Sequence, residues 1–144
     1  MTKRKTVGRI GETAIPYGRL QENDAAAAIQ AIKKGLPYRI FEHLRASLDV
    51  TEAKLAGVAG IRLRTLARRK IERRFTPEES DRIHRLAALW DRTVAFFKSE
   101  ERAAAWLKAP QYHFCDIPPI DFADTEVGTR EVHQLLGRIE NGVF

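Results

Sequence analysis

The sequence predicts an all-α protein, a helix-turn-helix unit followed by a smaller helical unit. Three observations carry this. Apolar residues recur at helical spacing in several stretches, almost no segment alternates with period two, and Ser, Thr or Asp stands before most of those stretches where a helix needs its first amides capped. At 144 residues with 44% hydrophobic content, the chain can hold one medium core or two small ones.

Residues 1–22 open with Lys3, Arg4, Lys5 and Arg9 and continue with Gly8, Gly11, Pro16 and Gly18, so no apolar face can form. They read as a mobile basic arm that either lies along DNA or contacts nothing. Asp24 suits the cap of a helix over 25–34, which ends in Lys33, Lys34 and Gly35. Pro37 suits the first turn of a second helix that keeps Ile40, Phe41, Leu44 and Leu48 on one side.

The stretch 51–70 is the most telling. Thr51 is placed to cap a short helix, with Glu52 at the positive end of its dipole and Leu55 and Val58 facing inward. Ala56 is small enough for a close crossing, Gly60 suits the positive φ of a tight turn, and Leu66 returns an apolar contact from the next helix. In that second helix Ile61, Leu63, Leu66 and Ile71 are expected to supply the buried side. Arg62, Arg64, Thr65, Arg68 and Arg69 are expected to face out, as a helix entering a DNA major groove requires. The competing reading of the same charges is a solvated basic face in an ordinary bundle.

Thr76-Pro77-Glu78-Glu79 combines a cap, a first-turn proline and a glutamate able to reach back. The stripe Ile83, Leu86, Ala87, Trp90, Val94 and Phe97 then predicts one helix to about Lys98 that bridges both halves. Ser99 is placed to cap a short helix holding Ala103, Ala104, Trp106 and Leu107, closed by Pro110. The segment 111–122 has two adjacent prolines and no helical period, and reads as an ordered loop. Thr125 begins the last helix, with Val127, Val132, Leu135, Leu136 and Ile139 for packing and Gly142 as its stop. Trp90, Phe97, Trp106, Phe114 and Phe122 serve either the core or an interface.

Formal net charge is +6, which favours a polyanionic partner. Its distribution is uneven: residues 1–75 hold 17 Lys and Arg against 7 Asp and Glu, a balance of +10, whereas residues 76–144 hold 8 against 12, a balance of −4. The single cysteine, Cys115, excludes an intrachain disulfide framework and a cysteine cluster for zinc, and fits a reducing cytoplasm. No run suits a membrane span, and the first residues lack the apolar core of a secretion signal.

Enzyme readings find little support. His43, His84, His113 and His133 are scattered, Asp121 and Asp124 suit capping or solvent, and Ser47, Ser80 and Ser99 lack a nucleophile setting. No catalytic residue, metal site or cofactor is expected.

Leu55-Ala56, Gly60-Ile61, Thr65 to Arg69 and Thr76 to Arg82 carry a resemblance that continues through Ala105-Trp106-Leu107, Pro110 and Pro119-Ile120-Asp121. It runs on through Thr125-Glu126, Gly128 and Leu136 to Glu140, and closes on Gly142-Val143-Phe144. Over about residues 23–144 the chain resembles the Xre/MbcA/ParS-like antitoxins, especially the Xre antitoxins paired with RES-domain toxins. One departure is Phe114-Cys115-Asp116, where such proteins often carry a leucine and two glycines.

The resemblance implies a Cro/Xre-like DNA-binding domain over 23–86 and a toxin-binding domain over 87–144. It further implies a chain without catalysis that represses its own operon and neutralises a toxin that depletes NAD+. Such antitoxins set their last helix and tail against the toxin near its active-site opening. The corresponding residues here are Arg130, Gln134, Arg138, Glu140, Asn141, Gly142, Val143 and Phe144. Val143 and Phe144 suit an apolar pocket, and Glu140 with the terminal carboxylate suits basic groups that otherwise meet a pyrophosphate.

The expected partners are a cognate RES-domain toxin and operator DNA. A homodimer within a hetero-oligomeric complex is also expected, since one short recognition helix reads few base pairs. Two alternatives stay open: a stand-alone dimeric helix-turn-helix repressor, and an adaptor whose basic helix binds an acidic protein.

Overall fold

The computed structural model of the chain describes residues 25–142, so the basic arm, the Asp24 cap, Val143 and Phe144 lie outside the described residues. Among the described residues eight α-helices follow one another: α1 (Ala25–Lys34), α2 (Tyr38–Leu48), α3 (Glu52–Val58), α4 (Leu63–Glu72), α5 (Pro77–Phe97), α6 (Glu100–Lys108), α7 (Pro119–Phe122) and α8 (Glu126–Glu140). A 3-10 turn spans Tyr112–Phe114. Among the described residues only isolated bridges pair extended backbone, Pro37 with Arg74 and Gln111 with Ile117.

Local chemistry starts most of these helices. The hydroxyls of Thr51, Thr76, Ser99 and Thr125 each accept an amide from three residues on. At α5 the bond is reciprocated: Glu79 accepts the Thr76 amide at 3.0 Å while donating its own amide to Thr76 Oγ1 at 3.2 Å.

α5 is the axis of the fold. α1, α2, α6 and α8 pack on it, and α6 also meets α2. One apolar cluster runs from Leu36 through Phe41, Leu55, Ile83 and Leu107 to Leu136. The expected boundary between residues 86 and 87 falls inside α5, which crosses it without a break. The entry to α2 is tied to the entry to α5 by Phe75 N–H to Leu36 O at 3.0 Å and by Leu36 N–H to the buried Ser80 Oγ at 2.7 Å. Gly35 makes this crossing feasible. Its φ is +93°, and a Cβ there would stand 2.3 Å from the Phe75 carbonyl oxygen.

The loop expected over 111–122 contains α7. Pro118 sits extended before the helix and Pro119 occupies its first position, so the proline pair starts a helix instead of preventing one. The aromatic residues pack mainly on one another: Phe114 stacks on Phe122 at 4.4 Å, and Phe97 lies 5.8 Å from Trp106. Trp90 is buried in the shared core. Val127, expected to pack, is 61% exposed because it falls on the outer side of the first turn of α8.

Candidate functional site

α3, the turn at Ala59–Gly60 and α4 form a compact angle. Ala56 is buried, its carbonyl accepts the Ile61 amide at 2.8 Å, and Gly60 takes φ +70°. Leu66 alone on α4 is fully inside.

The outer side of α4 differs from expectation at three positions. Leu63 and Ile71, expected to be buried, are 54% and 82% exposed. Arg69, expected to face DNA, turns inward: its side chain retains 13% exposure and meets Glu79 at 2.7 Å and Glu72 at 3.2 Å. A step of about 100° per residue explains the exchange, since 63, 67 and 71 follow one another around one flank of the helix while 69 lies on the other side of Leu66. Burial of Leu66 and the pairing of Arg69 with Glu79 of α5 both hold this orientation.

Several basic residues of this half are engaged within the fold while others on α4 are not. Lys54 is paired with Asp121, Lys70 with Glu52, and Arg74 and Arg82 donate to the carbonyls of Gly35 and Ala59. Arg62, Arg64 and Arg68 are exposed and make no ion pair with a described residue. Thr65 is half-buried beside them. Arg62 provides no side-chain cap for α4, which leaves the first amides of that helix open to solvent or to an anion.

A second exposed surface runs along α8. Arg130, Gln134, Arg138 and Asn141 recur at helical spacing on one side, with Arg138 partly covered and the other three exposed. Gly142 is exposed at the end of the helix, with φ +70°. Arg130 pairs within its own helix with Glu126 at 2.7 Å. Glu140 lies on the flank and reaches Arg92 of α5 at 2.8 Å, so it is engaged within the fold.

Between α5 and α8 lies a groove of about 300 Å3 lined by His84, Arg85, Ala88, Glu126, Thr129, Arg130 and His133. Burial lowers the pKa of both histidines. Asp81 partly opposes this at His84, and Arg92 adds to it at His133. Sequence reasoning set these histidines aside as scattered, although 84 with 88 and 129 with 133 are each four apart on facing helices. Among the described residues no three His, Cys, Asp or Glu side chains are grouped to hold a metal. No helix among them is long and apolar enough to cross a membrane.

These features define a helix-turn-helix protein with an exposed basic face on the second helix of the motif, joined through one continuous helix to a second helical unit. Residues 27–88 match the model of the antitoxin Xre-like helix-turn-helix domain, and residues 92–142 match that of the antitoxin Xre/MbcA/ParS C-terminal toxin-binding domain. The chain belongs to the Xre antitoxin family. It is 31% identical over 145 residues to an antitoxin Xre of Yersinia enterocolitica, covering 99% of this chain and 93% of that relative. An antitoxin Xre of Photorhabdus laumondii is 32% identical over 114 residues, 78% of this chain and 77% of its own length. One from Pseudomonas putida is 37% identical over 84 residues, 57% and 52% of the respective chains.

Proposed function

We propose that this chain neutralises a RES-domain toxin that depletes NAD+ and represses its own operon. Neutralisation is assigned to residues 87–144, with Arg130, Gln134 and Arg138 of α8 and the residues from Glu140 to Phe144 set against the opening of the toxin's active site. Repression is assigned to residues 23–86, acting as a homodimer that places α4 in two successive major grooves. The chain works in the cytoplasm and carries no catalysis of its own.

The observation that carries the toxin half is the exposed stripe on α8, inside the stretch that matches a toxin-binding domain. The DNA half is supported by Arg62, Arg64 and Arg68, left without internal partners on a helix whose other arginine is buried against Glu79. The choice of a RES-domain partner rests on the resemblance over about residues 23–144.

The test is co-purification of the tagged chain with the product of the adjacent gene, followed by assay of NAD+ loss with and without the chain bound. A stable complex that suppresses NAD+ loss is expected. Operator binding with no protein partner would instead leave a stand-alone repressor. A complex without any effect on NAD+ would remove the RES assignment.

A further inference from the structure

α4 presents to solvent an apolar stripe of Leu63, Ala67 and Ile71, spaced four residues apart. Leu63 is 54% and Ile71 82% exposed, and with the exposed Ala67 between them they form one contiguous apolar strip. Arg64 and Arg68 form a parallel stripe beside it at the same spacing, and Arg62 stands at the N-terminal end. None of the three arginines is ion-paired to a described residue. The surface is therefore an aliphatic strip bordered by free guanidinium groups. A fitting occupant offers anions along its rim and apolar groups within.

The DNA major groove has this composition. Phosphates line both edges, and the C5 methyl of thymine is the one apolar group on its floor. A second copy of this chain fits less well, because an isologous contact through the stripe would bring the arginines of one copy toward those of the other. We propose that Leu63 and Ala67, with Ile71 further along the helix, read thymine methyl groups in the operator. Specificity is then shared between these apolar contacts and the guanidinium groups of Arg64 and Arg68. The inference rests on α4 being the recognition helix and adds which base it selects.

Uracil differs from thymine only by that methyl, so it removes the contact without altering pairing. The experiment measures binding of the full-length chain to a fragment of its own promoter in which the thymines of each half-site are replaced singly by uracil. At one or two positions per half-site, replacement is expected to weaken binding about fourfold, the factor for one buried methyl. Leu63→Ala should weaken binding to the thymine site by a similar factor or more. It should also make binding insensitive to uracil at one of those positions, with an unchanged melting temperature showing that the variant folds.

Binding that is sensitive to Arg64→Ala and Arg68→Ala but indifferent to every uracil would overturn methyl reading while leaving DNA binding intact. Absence of binding to any promoter fragment would overturn both. Conversion of a dimer to a monomer by Leu63→Ala with Ile71→Ala, measured by sedimentation, would assign the stripe to self-association and overturn the proposal.

Discussion

Glu79 holds Arg69 with both carboxylate oxygens, at 2.7 Å from Nε to Oε1 and 3.0 Å from Nη2 to Oε2. Oε1 also accepts the Thr76 amide at 3.0 Å, so one carboxylate closes the capping box of α5 and anchors the last turns of α4. Burial alone would raise the Glu79 pKa, but the hydrogen bonds and charge of Arg69, with those from Thr76, outweigh it and hold the group below the usual carboxylate range. This pair, together with the burial of Leu66, holds α4 in the rotation that leaves Arg64 and Arg68 facing outward.

Arg69 and its neighbours should therefore respond oppositely to substitution. Arg69→Ala leaves Glu79 buried without its partner and should cost about 2–4 kcal/mol of stability, read as a lower melting temperature. Replacing Arg64 and Arg68 with alanine should leave melting within a degree or two. It should weaken operator binding by about tenfold or more, with a shallower dependence on salt. Equal loss of binding with unchanged melting for Arg69→Ala would mean that this side chain contacts DNA after all.

Gly128 should reverse the usual rule for helical glycines. Gly-to-Ala inside a helix ordinarily gains up to about 1 kcal/mol. A Cβ on Gly128, however, would stand 1.7 Å from the Phe122 carbonyl oxygen, where α8 starts against α7. Gly128→Ala should destabilise by about 1–3 kcal/mol through forced backbone movement. Gly57→Ala on α3, with nothing within 4 Å of its Cβ, should hold or raise stability. Chemical denaturation of both variants checks the contrast.

The helix starts were legible because each depends on residues three apart in the chain: Thr51 with Lys54, Thr76 with Glu79, Ser99 with Arg102 and Thr125 with Gly128. The outer face of α4 was not, because its few apolar positions fit either side until Glu79, ten residues beyond Arg69, selects one. Which basic residues remain available was hidden for the same reason, since Lys54 finds Asp121 from a helix 67 positions away. Two adjacent prolines read as a breaker in sequence, whereas Pro118 at the cap and Pro119 at the first position are where a helix tolerates them. The groove between His84 and His133 exists only once α8 is laid on α5.

Acid should loosen the packing of α8 on α5. The pKa values of His43, His84 and His133 are lowered in the folded chain, chiefly by burial. Between those lowered values and the unfolded value of about 6.5, the unfolded chain binds more protons, so stability falls as pH drops below about 6.5. The window is separate from that of Glu79, whose contribution is lost only as pH falls below about 4.3. Melting temperature should decline by a few degrees from pH 7.5 to 5.5. His84→Gln with His133→Gln should flatten most of that slope, and a profile unchanged by both would place the proton-linked groups elsewhere.

Charge changes on α8 separate contact with the toxin from folding. Gln134 is exposed and Arg138 partly so, and neither makes a side-chain hydrogen bond or ion pair with a described residue, so Gln134→Arg with Arg138→Glu should leave melting and operator binding intact. Neutralisation of the toxin should be lost, because an unpaired charge is then buried at the contact. Glu140→Ala provides the contrast. It breaks an exposed pair with Arg92 and should cost under about 1 kcal/mol of stability, yet it removes a carboxylate from the proposed contact. Weakened neutralisation by Glu140→Ala without lower melting would assign that carboxylate to the toxin as well as to Arg92. If the double variant instead neutralises as well as the parent chain, the toxin does not bind along this face of α8.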